Sequence, residues 1–342
     1  MTLQVRHRYF SFFRIRFLSN LAASAVLLAT ALLPFGPNLQ LMTALAVAKW
    51  MDSLLDILYA SLQHRSRIME MAIAMSVNGV LILTFFWILF EWTGSLSLSI
   101  LGSAAGSALI SVFVAREVLP FERRADSILA PGGTCGILKA GVPSGVAQSV
   151  NSLVSYLPIL LLSVWASPAQ AGIFTAVTYF FTLANLIMSA LVQAVLPQLV
   201  AKMNSGQAVF SATLSRIGIL FVGLGTTLGI GTLLFGDRLL VLVYGPDFVI
   251  PFAVLLPTAL GLALLPLVYV TSLTLLVTNH YVAQVRIAIH SLLLAVGFSI
   301  FLLRDFGIAQ AAWLVVFGIA VRSGLGLLEM KSRRSNSTEI VR

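Results

Sequence analysis

Four polar residues near the start of the chain could together bind a charged group. Lys49, Asp52, Asp56 and Gln63 follow one another at intervals of three, four and seven residues. A helix would therefore carry them on one stripe, with Ser53 alongside. Their neighbours are apolar, and an ionisable side chain inside hydrocarbon has to face protein or water. We expect this stripe to face the interior of a helical bundle.

Two interpretations of the stripe are open. In the first, Lys49 and Asp52 form an internal ion pair that only fixes helix packing. In the second, the stripe lines a cavity and takes part in handling a substrate or an ion. A buried ion pair is weak evidence for stability, whereas an ionisable residue within a membrane span is a functional candidate by default. The second interpretation is favoured.

Two later segments carry milder polar stripes at helical spacing. Their members are Ser144, Gln148, Asn151 and Ser155 in one, and Thr178, Thr182, Asn185, Ser189 and Gln193 in the other. Such side chains often hydrogen-bond between membrane helices, so packing is the favoured interpretation and cavity lining the alternative.

Signatures of enzyme chemistry are poor. The four histidines have no metal-ligand spacing, and no nucleophile stands beside a base. A glycine-rich run at residues 132–139 lacks the spacing of a phosphate-binding loop. The sequence predicts a protein that is not an enzyme and that needs no cofactor or metal.

Composition points to a membrane protein. Hydrophobic residues make up 59% of the 342 residues, charged residues 10%, and the mean hydropathy is +0.99. Apolar runs long enough to cross about 30 Å of hydrocarbon lie at Phe17–Phe35, Leu39–Gln63, Met71–Phe90, Leu96–Ala115, Ala140–Ala166, Ala171–Leu199, Ala208–Phe235, Pro251–Thr278, Ile287–Leu303 and Ile308–Leu328. We expect an all-α integral membrane protein with about ten transmembrane helices.

The basic residues predict the orientation. If the N-terminus is cytoplasmic, seventeen Lys and Arg residues lie on the inner side, and only Arg238 and Arg304 lie in outer loops. The formal net charge of +9 is then a topology signal and a contact with anionic lipid headgroups, so nucleic acid is not an expected partner. Both termini are predicted to be cytoplasmic.

The longest inner connection separates four spans from six. It runs over residues 116–139 and contains the helix breakers Pro120, Pro131, Gly132 and Gly133. We therefore predict an N-terminal lobe at 1–125, a cytoplasmic linker at 126–139, a C-terminal lobe at 140–330 and a cytoplasmic tail at 331–342.

Several segments resemble one protein family. Residues 46–76, AVAKWMDSLLDILYASLQHRSRIMEMAIAMS, are similar to the fourth helix and following basic loop of bacterial polysaccharide flippases. Residues 141–145 (GVPSG) resemble the start of that family's seventh helix, and residues 172–179 (GIFTAVTY) with 195–199 (VLPQL) resemble its eighth. A Tyr-Gly turn at 244–248 (YGPDF) also matches. Together these segments resemble the oligosaccharide flippase branch of the multidrug/oligosaccharidyl-lipid/polysaccharide exporter superfamily.

The resemblance implies a fold and a function. Such proteins have a MATE-like bundle of two lobes around a central cavity. They move polyprenyl-diphosphate-linked oligosaccharides across the bacterial inner membrane by alternating access, for O-antigen or exopolysaccharide biosynthesis. A diphosphate calls for cations, and Lys49, Arg65, Arg67 and Arg216 are placed to supply them.

The chain also departs from the family pattern. Four spans precede the linker where the family has six, so the first two helices are expected to be missing. Either the start codon is misplaced, or the chain is a truncated and inactive flippase.

Other functions remain open. A cation-coupled multidrug-type exporter would use the acids Asp52 and Asp56. A membrane-embedded polysaccharide polymerase or acyltransferase is a further alternative, which the short outer loops disfavour. Expected partners are the lipid-linked oligosaccharide, membrane lipids and other polysaccharide assembly proteins. A monomer is the default.

Overall fold

Long helices make up the part of the chain that the computed structural model describes, residues 9–32, 38–64, 67–124, 133–204 and 207–339. The helices are α1 (Tyr9–Ala31), α2 (Leu39–His64), α3 (Ile68–Thr93), α4 (Leu96–Arg124), α5 (Gly133–Trp165), α6 (Pro168–Asn204), α7 (Gln207–Tyr244), α8 (Phe252–Val277), α9 (Tyr281–Leu302) and α10 (Ile308–Glu339). Short 3-10 turns occur at Pro246–Phe248 and Leu303–Asp305, and these ranges contain no strand. The predicted all-α membrane fold is confirmed.

Within the described ranges, nine of the helices are long and apolar enough to cross a membrane. The remaining helix, α2, has 26 residues and is therefore long enough, but it carries Lys49, Asp52 and Asp56. It packs against α1 and, more extensively, against α4. These contacts make α2 an integral part of its lobe, in the place where the sequence predicts a second span.

The chain divides into two compact units, which we call the first lobe (Met1–Ala140) and the second lobe (Gly141–Arg342). In the first lobe, α4 packs on both α2 and α3. Its buried core joins side chains of these three helices: Leu55, Leu58, Tyr59, Leu62, Met71, Ile110, Val114 and Val118. A glycine lets α4 approach α3 closely, because a Cβ on Gly106 of α4 would lie only 3.1 Å from the carbonyl carbon of Leu81 in α3.

In the second lobe, α8 is the central helix and packs mainly on α7, α10 and α6. More than half of the apolar segment of α8 is buried inside the protein. Two glycines of α7 permit the contact with α8. A Cβ at Gly225 would lie 2.3 Å from Cγ of Pro266, and one at Gly229 would lie 2.5 Å from the Ala259 carbonyl oxygen. The remaining helices are joined through a buried cluster that includes Leu162 of α5, Phe174 of α6 and Ala295 of α9.

Helices extend beyond the predicted spans at two places. Helix α4 continues through Pro120 to Arg124 and α5 begins at Gly133, so residues 133–139 of the predicted cytoplasmic linker are helical. Proline is tolerated where the surroundings satisfy the freed backbone groups, and a glycine at the first position of a helix does not interrupt it.

The second place is the end of the seventh helix. Helix α7 extends to Tyr244, nine residues beyond the predicted end at Phe235. Gly236 is held against α8, since a Cβ added there would lie 3.0 Å from Cδ2 of Leu255. Asp237 accepts a hydrogen bond from the Ile250 N–H at 2.8 Å. Because both residues are anchored to the following segment, neither ends the helix.

Candidate functional site

Lys49 and Asp52 form an ion pair on α2. The Lys49 Nζ lies 3.1 Å from Oδ2 of Asp52, one helical turn away. The side chains are 75% and 43% exposed, respectively. The pair proposed in the first interpretation is therefore present, but it lies on an open face of the lobe and not within its packed core.

Asp56 has a different partner, which comes from α1. The Arg16 guanidinium donates to Oδ2 of Asp56 at 2.6 Å and, through Nε, to the Ser53 hydroxyl at 2.7 Å. The indole N–H of Trp50 donates to Ser24 at 2.7 Å and ties the same two helices together. Arg16, which the sequence pattern presented only as an orientation signal, is thus part of the polar stripe.

The polar stripe of the first lobe is electrically balanced. Its two carboxylates each contact one cation, at the distances given above. The opposite side of α2 is apolar and packs on α4 through Leu55, Leu58 and Leu62. Gln63 is exposed. Whether the open face lines a cavity remains a prediction.

The basic residues expected at the inner ends of the helices differ in their contacts. Arg67, just before α3, donates to Glu70 from Nε at 2.6 Å and lies 3.8 Å from Glu117. The hydrogen bond to Glu70 raises the pKa of the Arg67 guanidinium. Arg216 is exposed on α7. Arg65 lies outside the described residues. Lys49 and Arg67 are thus already neutralised by carboxylates.

In the second lobe, one residue of the predicted polar stripes, Asn185, contacts Tyr269, which the sequence analysis did not identify. The Tyr269 hydroxyl of α8 donates to Oδ1 of Asn185 on α6 at 2.9 Å. Asn151 on α5 has a buried Oδ1 without a hydrogen-bond partner in the described structure. Gln148 and Gln193 are exposed.

Arg322 on α10 is the main residue that the sequence reasoning missed. It is half-buried and interacts electrostatically with Tyr269. The signal was visible as a basic residue in the middle of an apolar span, but an average over the span conceals a single charge.

The described residues contain no group of three or more His, Cys, Asp or Glu side chains that could hold a metal ion. Each lobe carries its own charged and polar side chains on helices, Lys49 and Asp56 in the first lobe and Asn185 and Arg322 in the second. Such groups can bind a polar ligand within a bundle.

Sequence comparison finds a distant similarity to a characterised protein. The chain is 22% identical over 285 residues to the capsular polysaccharide biosynthesis protein CapF of Staphylococcus aureus, covering 80% of this chain and 71% of that protein. No protein-family profile matches the chain.

Structure comparison is more decisive about the fold. An outward-facing multidrug resistance MATE family transporter of the MOP superfamily superposes with a TM-score of 0.75 at 14% identity, covering 95% of this chain and 77% of that one. A point mutant of the Vibrio cholerae MATE transporter VcmN gives a TM-score of 0.77 at 15% identity, covering 94% and 77%. An inward-facing MATE family transporter gives 0.74 at 14% identity, covering 96% and 78%. The chain therefore has the helical fold of the MATE transporters.

Proposed function

We propose that this protein translocates a polyprenyl-diphosphate-linked oligosaccharide across the bacterial inner membrane for surface polysaccharide biosynthesis. The fold of solved MATE transporters supports transport by alternating access. The similarity to a capsular polysaccharide biosynthesis protein over 285 residues carries the choice of substrate. Both termini are proposed to lie in the cytoplasm, because most basic residues then lie on the inner side.

The distribution of charge supports an anionic substrate. Asp52 and Asp56, the acids within α2, each contact a cation. In the second lobe, Asp247 and Asp305 lie in 3-10 turns, and Asp237 holds the segment before α8. Arg322 lies within the last span, and among the described residues no carboxylate pairs with it. A lobe with a cation in its interior suits a diphosphate better than a cationic drug.

The second candidate function is a cation-coupled multidrug-type exporter. The fold favours it as strongly as it favours a flippase, since the solved structures include multidrug resistance transporters. The two functions differ in which ionisable groups they need. An exporter coupled to a cation would need Asp52 or Asp56 to release its basic partner, whereas a flippase would need the cations.

Transport can be tested with the purified full-length chain in proteoliposomes. The probe is a fluorescent oligosaccharide on a polyprenyl diphosphate, and a membrane-impermeant quencher reports which leaflet holds it. We expect the chain to accelerate exchange between leaflets relative to empty liposomes. Exchange at the rate of empty liposomes, together with proton- or sodium-driven export of a cationic dye, would establish the exporter instead.

The same assay tests the stripe of the first lobe. Lys49→Ala removes a cation and leaves Asp52 unpaired, so we expect exchange to slow by roughly tenfold. Lys202→Ala is the matched control, because Lys202 is exposed near the end of α6. Equal exchange rates for Lys49→Ala and the wild type would show that Lys49 of the polar stripe takes no part in transport.

Deletion strains can distinguish a transport function from a polymerase function. A strain lacking the protein should retain lipid-linked oligosaccharide units on the inner leaflet. A strain lacking a polymerase would still export single units and would lose only the long chains. Single units at the surface of the deletion strain would contradict the proposed function.

A further inference from the structure

A cavity opens between three helices at one end of the second lobe. It has a volume of about 310 Å³, which is at the lower end of the range for ligand cavities. Helix α8 packs extensively on both α7 and α10, so it forms the floor while the other two helices form the walls. The lining residues are Ser211, Leu214, Ser215 and Gly218 of α7, Val270 of α8 and Met330 of α10.

The cavity is left open by a glycine of α7. A Cβ added to Gly218 would meet two methyl groups of Val270, both at 3.9 Å, so α7 and α8 are not in tight contact here. Gly225 and Gly229, farther along α7, differ, because a Cβ on either would overlap atoms of α8. Helix α7 therefore lies close against α8 in its middle and leaves a gap near its start.

Charged residues show the level of this gap in the membrane. On α7 the uncharged run begins after Arg216, and on α10 the charged residues Glu329 and Lys331 flank the lining residue Met330. Charged side chains of a span lie preferentially at its ends, close to the lipid headgroups. The cavity therefore lies at the boundary between headgroups and acyl chains, on the cytoplasmic side in the orientation proposed above.

The polarity of the lining changes across this boundary. Ser211, which is half-buried, and Ser215, which is exposed, bring hydroxyl groups to the headgroup side. Leu214, Gly218 and Val270 give the cavity its apolar surface, and Leu214 is buried. A molecule that fits both parts has a polar end and an aliphatic body, as a membrane lipid does.

The charges beside the opening favour an anionic lipid. Glu329 forms an ion pair with Arg286 of α9, so its negative charge is neutralised. Lys331 is exposed, and the sequence of α10 continues with Arg333 and Arg334. Three positive charges therefore follow the lining residue of α10 within four residues. Basic residues at this level attract anionic headgroups.

We propose that the groove between α7 and α10 holds one anionic phospholipid of the inner leaflet, with an acyl chain beside Gly218 and the phosphate at Ser215 and Lys331. A hydroxyl and an ammonium group can both donate to a phosphate oxygen, and the ammonium also supplies the opposite charge. The bound lipid fills the gap over α8 and connects α7 with α10. The site does not depend on which substrate the protein transports.

Photo-crosslinking tests both the position and the identity of the lipid. The full-length chain is placed in nanodiscs that contain phosphatidylglycerol with a photoreactive group in one acyl chain, and labelled peptides are identified by mass spectrometry. We expect labelling of α7 near Gly218 and of α10 near Met330. Phosphatidylcholine with the same photoreactive chain should label these segments roughly fivefold less, because its headgroup has no net charge.

A cavity-filling variant tests the place of the acyl chain. Gly218→Leu puts a side chain into the space beside Val270, so labelling by the phosphatidylglycerol probe should fall to background. Gly223→Leu is the matched control, because Gly223 is exposed on the same helix with no atom within 4 Å of a Cβ position. It should label like the wild type. Wild-type labelling in a folded Gly218→Leu would overturn the proposal.

A charge variant tests the headgroup and keeps the proposal testable even if Gly218→Leu does not fold. Lys331→Gln should lower labelling by phosphatidylglycerol a few-fold and leave labelling by phosphatidylcholine unchanged. Arg116→Gln removes an exposed positive charge from the first lobe and should change neither. Equal labelling of the wild type by the two probes, or no effect of Lys331→Gln, would contradict an anionic-lipid site.

Competition separates a phospholipid from other lipids that carry phosphate. Unlabelled phosphatidylglycerol and polyprenyl diphosphate are added in separate arms. Displacement by phosphatidylglycerol but not by an equal amount of polyprenyl diphosphate supports the proposal. Displacement by polyprenyl diphosphate alone would assign the groove to an isoprenoid chain and overturn it.

Discussion

At the scale of single residues, the two lobes treat charge differently. In the first lobe each carboxylate of α2 has a basic partner, whereas in the second lobe Arg322 has none among the described residues. An exposed pair contributes little to stability, because water screens it. The ion pairs of the first lobe therefore contribute little to its stability. Their main effect is to balance the charge on the open face of α2.

The link between Arg16 and Asp56 can be measured by a double-mutant cycle. Arg16→Met and Asp56→Leu should each lower the unfolding temperature of the purified protein, and the double variant should lose less than the sum. We expect a coupling free energy of about 0.5–1 kcal/mol, since both side chains are about half exposed or more.

The cycle needs a control at a basic residue that does not pair with Asp56. Arg304→Met, combined with Asp56→Leu, should give strictly additive changes, because Arg304 belongs to the other lobe. Additive losses for the pair Arg16 and Asp56 would contradict a direct interaction.

Sequence reasoning found the local contacts of these residues and missed the distant ones. Lys49 and Asp52 are one helical turn apart, so their spacing alone predicts that they meet. Arg16 and Asp56 are separated by 40 residues, and Asn185 and Tyr269 by 84. Such pairs depend on how helices pack, which periodicity within one helix does not determine.

At the scale of helices, close packing of α7 on α8 organises the second lobe. Gly229 faces the Ala259 carbonyl, whereas Gly231, two residues along the same helix, has no atom within 4 Å of a Cβ position. The two glycines have the same helix propensity and differ in their surroundings. They offer a direct test of whether the contact stabilises the lobe.

Gly229→Ala should destabilise the protein by about 1–3 kcal/mol, because the added methyl group overlaps backbone atoms that cannot move freely. Gly231→Ala should be neutral or stabilising by up to about 1 kcal/mol, since alanine favours the helix. Thermal unfolding in nanodiscs, followed by tryptophan fluorescence, measures both. Equal changes in unfolding temperature for the two variants would show that α7 and α8 can move apart without loss of stability.

Apolar runs predicted the helices well and their ends less well. The hydropathy pattern locates every helix of the described ranges, including α2, where helical spacing of polar residues compensates for its charges. The ends of α4, α5 and α7 depend on contacts, such as the Asp237 side chain that accepts from Ile250 N–H. Residue type alone marked Pro120 as a helix breaker, yet it lies within α4.

At the scale of the whole molecule, the positive-inside pattern gives an orientation that labelling can test. Cys135, the only cysteine of the sequence, is first replaced by alanine so that it cannot react. In this background, the single substitutions Glu91→Cys and Arg304→Cys should give proteins that react with an impermeant maleimide added to intact cells. Lys202→Cys and Lys331→Cys should react only after permeabilisation. All four positions are exposed, so a reversed pattern would place the termini outside.

The length of α7 has a consequence for the lipid around the protein. Helix α7 has 38 residues and is about 57 Å long at about 1.5 Å per residue, but Arg216 and Asp237 bound an uncharged run of 20 residues that is only about 30 Å long. The hydrocarbon of a typical bilayer is also about 30 Å thick, so this run fits the acyl chains while both ends of α7 extend beyond them. A thinner or a thicker bilayer would create a hydrophobic mismatch with this run. Turnover should therefore be highest in liposomes whose hydrocarbon is about 30 Å thick, and should fall with both shorter and longer phospholipids.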